Sequence, residues 1–144
     1  MKGQEQMLVD QVEQEVTSFI SLCPVELNAV ARNEWKRVVA EFVPLRLLKP
    51  LDLALLAHYC NAYAGWLEAT AAINEYGPVI KTPNGYPAQS PYVTLANQHA
   101  AVMLRCAVEL GLSPASRIKN FGERKSTFWE NWDGGLAEMP VAKK

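Results

Sequence analysis

The feature that most constrains this chain is a 14-residue run, Pro78 to Pro91, that holds four of its nine prolines between two long stretches of helical periodicity. Proline has no amide hydrogen and its ring clashes with the preceding turn, so neither helix can continue through the run. Upstream, Leu53, Leu56, Cys60, Tyr63, Leu67 and Thr70 recur at intervals of three and four, and seven alanines between Ala54 and Ala72 favour helix elsewhere. Pro50 suits a first helical turn, and Asp52 puts negative charge at the positive end of the helix dipole. The spacing predicts a helix from about 50 to 76, stopped by Gly77 and Pro78. Downstream, Ser90 and Pro91 give a cap-then-proline start for a second long helix, about 91 to 110. Its stripe is Leu95, Val102, Cys106 and Leu110, with His99 and Met103 filling in and Gly111 as C-cap. Between the helices, Thr82-Pro83-Asn84-Gly85 fits a type I turn with Gly85 left-handed. Short strands at Val79–Lys81 and Tyr86–Ala88 would flank it, the second confined to an edge by Pro87.

The flanks are simpler. From Glu5 to Ser21, Leu8, Val12, Val16, Phe19 and Ile20 form the apolar face of one amphipathic helix, which Cys23-Pro24 ends. Asn28 is a candidate N-cap for a further helix whose stripe is Ala31, Trp35, Val38, Phe42 and Leu45, closed by Pro44. Ser113 and Pro114 repeat the start signal for a short last helix. The fold class is therefore mainly α: a hairpin of two long antiparallel helices plus shorter flanking helices, with a small β-hairpin between the long ones. The chain divides into an N-terminal amphipathic helix (1–22), a helical core (23–118) and a C-terminal tail (119–144).

With 144 residues and 49% hydrophobic content, the chain suffices for one packed core. No apolar run approaches the ~20 residues of a membrane-spanning helix. The start is acidic and Gln-rich, unlike a signal peptide, so the expected compartment is cytoplasm. Cys23, Cys60 and Cys106 lack zinc-type spacing and are expected to be reduced, mostly buried thiols. Charge is uneven: residues 1–30 sum to −4, residues 31–116 to +1 and residues 117–144 to +2.

Catalytic motifs are missing. There is no Gly-rich phosphate loop, no G-x-S-x-G, no H-E-x-x-H and no calcium-loop pattern. His58 and Cys60 stand two apart on different helix faces, so neither a metal nor another cofactor is expected, and His99 with Cys106 reads as helix packing. Paired acids such as Glu13 with Glu15, or Glu68 with Glu75, fall where a helix is normally solvated. No catalytic residue is assigned. Basic residues gather at Arg32, Lys36 and Arg37 and again at Arg117, Lys119, Arg124 and Lys125, with Lys81 in the hairpin; these are the candidate DNA contacts. Phe128, Trp129 and Trp132 share one helical face in the tail, where they either fold back onto the core or dock a partner.

In this order, "CPVELNAVARNEW", "LLKPLDLALLAHYCNAYAGW", "YGPVIKTPNGYPAQSP" and "ELGLSPASR" resemble the small subunit of phage terminase, over about Pro24 to Arg117. The resemblance implies a non-enzymatic protein that assembles into homo-oligomeric rings in the cytoplasm of the infected bacterial host. Such a ring recognises the packaging-initiation region of double-stranded viral DNA and hands it to the large subunit, which carries the ATPase and nuclease. Phe128, Trp129 and Trp132 become candidate docking residues for that subunit. The acidic start departs from the basic, Pro- and Gly-rich stretch common in the family, and Lys49 stands where a Thr or Ser would complete a capping box. Tyr59, Tyr63, Trp66, Met103 and Tyr86 are the candidate contacts between copies, while Leu53, Leu56 and Leu67 are expected to meet Leu95 and Val102 within one subunit. The alternative reading is a helical adaptor or regulatory DNA-binding protein unrelated to packaging, and a small helical enzyme using His58 or His99 is a further rival.

Overall fold

The computed structural model describes residues 2–121, and its helix ends fall where the capping residues stand. The elements are α1 (Lys2–Ser21), α2 (Ala29–Phe42), α3 (Leu53–Tyr76), β1 (Val79–Lys81), β2 (Pro87–Gln89), α4 (Pro91–Leu110) and α5 (Pro114–Phe121), with a 3-10 turn at Pro50–Asp52 leading into α3. The Asn28 side chain accepts the Ala31 amide at 2.9 Å, and the Ser90 hydroxyl accepts that of Tyr92 at 3.4 Å with Pro91 in the first turn. At the start of α3 half of a capping box survives: the Lys49 amide donates to the Asp52 carboxylate at 2.9 Å. The lysine side chain has no acceptor to return the bond.

Glycines serve two different stops. Gly111 takes the left-handed conformation (φ 80°, ψ 25°) that closes α4. Gly77 has φ 86° and ψ 160°, an extended left-handed region open almost only to glycine, which swings the chain out of α3 into β1. β1 and β2 pair antiparallel, Val79 with Gln89, Ile80 with Ala88 and Lys81 with Pro87. The second strand thus begins one residue later than its sequence predicts. The turn is as expected, with the Gly85 amide donating to the Thr82 carbonyl at 2.8 Å and Gly85 at φ 82°. The Ser90 amide donates to the Pro78 carbonyl at 2.9 Å, tying the two feet of the hairpin together.

Packing divides the molecule in two. A body is built where α2 crosses the first half of α3: Ala31, Trp35, Val38 and Val39 bury against Leu56 and Cys60, and α4 adds Cys106 and Leu110. The Trp35 indole N–H donates to the Phe19 carbonyl at 3.0 Å, satisfying a free carbonyl near the end of α1 and pinning that helix to the body. The body core takes nothing from α3 beyond Ala64 and nothing from α4 before Met103. Past those points the two helices continue as an arm tipped by the β-hairpin.

The arm's seam differs from the expected one. Leu95 and Val102 are exposed, and α4 turns Ala96, His99, Ala100 and Met103 inward instead. Opposite them α3 presents Ala62, Gly65 and Ala69, small residues that let the helices approach closely. The His99 imidazole lies over Gly65, where a Cβ would come within 2.5 Å of the ring. Leu45, placed by its spacing on the α2 stripe, falls beyond the helix end and is exposed.

Candidate nucleic-acid interface

The Arg32–Lys36–Arg37 cluster splits into two sites with different chemistry. Arg32 and Lys36 are one helical turn apart and share a face. With Ile20, Ser21, Cys23 and Val25 they line an open groove of about 240 Å³ between the end of α1 and the start of α2. Arg32 is fixed there because its Nε–H donates to the Leu27 carbonyl at 2.8 Å and its Nη2 to that of Val25. Those bonds hold the loop after α1 while the charge remains at the groove. Burial pushes the Cys23 thiol above its ordinary range, and the charges of Arg32 and Lys36 oppose that shift.

Arg37 lies on another face and is already paired. Its Nε and Nη2 donate to the two oxygens of Glu34 at 2.8 and 2.6 Å, and the hydrogen bond to that carboxylate raises an already high guanidinium pKa. Glu34 is only 4% exposed and also accepts the Tyr59 hydroxyl at 2.9 Å. Burial first, then the bond to Glu34, hold the Tyr59 phenol above its ordinary range. The same surroundings push the Cys60 thiol up to about 12, burial being the main cause and the Glu34 charge the next. Sequence reading missed this network; its one visible signal was the i, i+3 spacing of Glu34 and Arg37.

The candidate assembly residues also separate. The Tyr59 ring is buried by its own chain, with its hydroxyl donating to Glu34 across α2 and α3. Met103 likewise packs against the body core. Tyr63 and Trp66 are half-buried and continue an aromatic ladder from Tyr59, with centroid separations of 6.4 and 6.5 Å. Tyr86 is exposed near the arm tip, and Tyr76 and Tyr92 stack at 6.2 Å at the foot of the hairpin, a pair the sequence reading did not single out.

Of the remaining cations, Lys81 is exposed on β1, and Arg117 and Lys119 are exposed on α5. Arg117 donates from Nη1 to the Leu112 carbonyl at 2.7 Å, which steadies the turn between α4 and α5. Arg124, Lys125, Phe128, Trp129 and Trp132 lie outside the described residues. Among the described residues, no group of three or more His, Cys, Asp or Glu side chains is arranged to hold a metal ion, and no helix is long and apolar enough to cross a membrane.

Compared with known proteins, residues 31–126 match the family model described as "Phage terminase, small subunit". The match spans 96 of 144 residues, starts inside α2 and leaves α1 outside it. Comparison with curated proteins and with solved structures gives no match.

Proposed function

The chain belongs to the phage terminase small-subunit family, and on that premise we propose that it is the non-catalytic DNA-recognition subunit of a viral genome-packaging terminase. In this reading, copies of the chain close into a ring in the cytoplasm of the infected bacterial host. The ring holds double-stranded viral DNA at the packaging-initiation region and regulates the large ATPase and nuclease subunit.

The family match across the helical core carries the reading. Two further observations support it. The arm displays Val79, Ile80 and Tyr86 to solvent, apolar surface suited to a neighbouring copy. Arg32 and Lys36 meet in one groove, and repetition around a ring multiplies a contact that is weak in one subunit. DNA contact is assigned first to Arg32 and Lys36, with Lys81 as an arm contact; Arg37 is ranked below them because its guanidinium is engaged by Glu34. Phe128, Trp129 and Trp132 are assigned to large-subunit docking.

Sedimentation at micromolar concentration is expected to give a single large oligomer, and a stable monomer would overturn the ring. DNA binding is expected to weaken with salt. Replacing Arg32 and Lys36 by Ala should reduce the slope of log affinity against log salt by about two, roughly one per lost phosphate contact. An unchanged slope would remove both residues from the DNA site.

A further inference from the structure

An exposed strip in the first half of α1 has the chemistry that the groove at the other end of the helix lacks. Val16, Phe19 and Ile20 pack against the body core, but every residue from Gly3 to Gln11 is exposed. Met7, Leu8 and Val9 are 63%, 62% and 50% exposed, and three consecutive apolar side chains in water mark a contact or a fault. Glu5 shares a face with Leu8 and Val9 at spacings of three and four, and Asp10 follows them. Residues 3–11 hold those two acids and no base, the one lysine of α1, Lys2, coming before them. The strip is both apolar and acidic.

The groove is apolar and basic. Arg32 and Lys36 line it together with Ile20, Cys23 and Val25, and Val25 is 77% exposed. Arg32 is bound by the neutral carbonyls of Leu27 and Val25, which leave its charge in place, and among the described residues neither cation is paired with a carboxylate. The strip does not reach the groove of its own chain. Leu8 and Ile20 lie on one unbroken helix, about 18 Å apart at the usual rise, and the groove opens at the Ile20 end. Laid against a second strip, it would bring acid to acid, and like charges across a contact are costly. The groove of a second copy offers an apolar floor and the opposite charge.

We propose that the exposed half of α1 seats in the Arg32–Lys36 groove of a second copy and masks it until DNA displaces the helix. Leu8 enters against Ile20 and Val25, and Glu5 faces the two cations where a phosphate would otherwise lie. The masking rests on the reading of the groove as a DNA site; the seating of α1 does not. Through it the acidic α1 acts on DNA binding without touching DNA, because a DNA-free copy hides its positive groove behind a negative helix.

Cys23 supplies a reporter, since it lines the groove while Cys60 and Cys106 are buried. Leu8→Cys in the full chain, oxidised with copper phenanthroline, should link position 8 of one copy to Cys23 of another, as peptide mapping would identify. Gln6→Cys, two residues away on a different face of α1, should link far less. Double-stranded DNA should suppress the link to Cys23. Leu8→Ser, which changes no charge, should tighten DNA binding by about threefold or more, because masking lowers the apparent affinity by the fraction of grooves left free. Links only between two copies of position 8, or no more linking than in the Gln6→Cys chain, overturn the seating and leave the DNA site standing. A link to Cys23 that DNA does not suppress, or an unchanged affinity in Leu8→Ser, overturns the masking. The salt slope of the chain carrying Arg32→Ala and Lys36→Ala then tells whether the DNA reading of the groove falls with it.

Discussion

The body and the arm solve the same packing problem with opposite materials. In the body, large side chains fill the space between α2 and α3, with Trp35 at its centre fully buried. In the arm, two helices approach through Ala62, Gly65, Ala69 and Ala96, and almost nothing large is hidden. The body is held by area removed from water. The arm is held by close backbone approach and by the hydrogen bonds of its hairpin, and it leaves Leu95, Val102 and Tyr86 exposed while Trp66 and Leu67 are half-buried. The chain therefore has one end dense with buried large side chains and another that is not.

The comparison can be broken most sharply at Trp35. Trp35→Ala should cost about 3–5 kcal/mol, as large aromatic truncations in cores do, and should unfold body and arm together. A loss confined to α1 and α2 in chemical denaturation would show that the arm stands independently. Next in size is the arm seam: Gly65→Ala forces the His99 ring aside and should cost about 1–3 kcal/mol through overpacking. His99→Ala in the same chain should return most of that loss, and a cost that persists there would point away from the ring contact. Tyr59→Phe deletes one bond to the buried Glu34 but leaves the Arg37 pair, so about 1 kcal/mol is expected from denaturant midpoints. Gly85→Ala, at the left-handed turn position, should leave the body's thermal midpoint nearly unchanged while speeding amide exchange in β1 and β2. Finally, stability should decline in alkali. The folded Cys60 thiol titrates at about 12 rather than 9.0, so the stability from keeping it neutral is complete below pH 9 and fades toward pH 12. Cys60→Ala should flatten that slope, whatever it does to the midpoint at pH 7.

Much of the fold was legible because its signals are local. Asn28, Ser90-Pro91, Gly111 and Thr82-Pro83-Asn84-Gly85 each act on a backbone bond within a few residues, and each holds in the structure. The faces of α4 were less legible. Leu95 and Val102 outrank Ala96 and Ala100 in hydrophobicity, but a seam over Gly65 needs small residues, so the bulky ones turn outward. The bond of Tyr59 was not legible for a related reason: its partner, Glu34, lies 25 residues away, and nothing in the spacing of either joins them. For the candidate site, the basic residues were found but not their division. Arg32 and Arg37 look alike in sequence, whereas one reaches backbone carbonyls beside a groove and the other is held by a carboxylate.

Helix α3 runs without interruption from the body to the arm. From Ala64 to the end at Tyr76 it extends about 18 Å at the usual helical rise, and it has no glycine or proline hinge at its base other than the seam residue Gly65. Mechanically it is a rigid lever. A change of about 10° in how α2 seats on the first half of α3 would carry the foot of the hairpin about 3 Å, since the arm length multiplies the angle. Any such change in the seating of α2 would therefore be read out at Tyr86 and Lys81, at the far end of the arm.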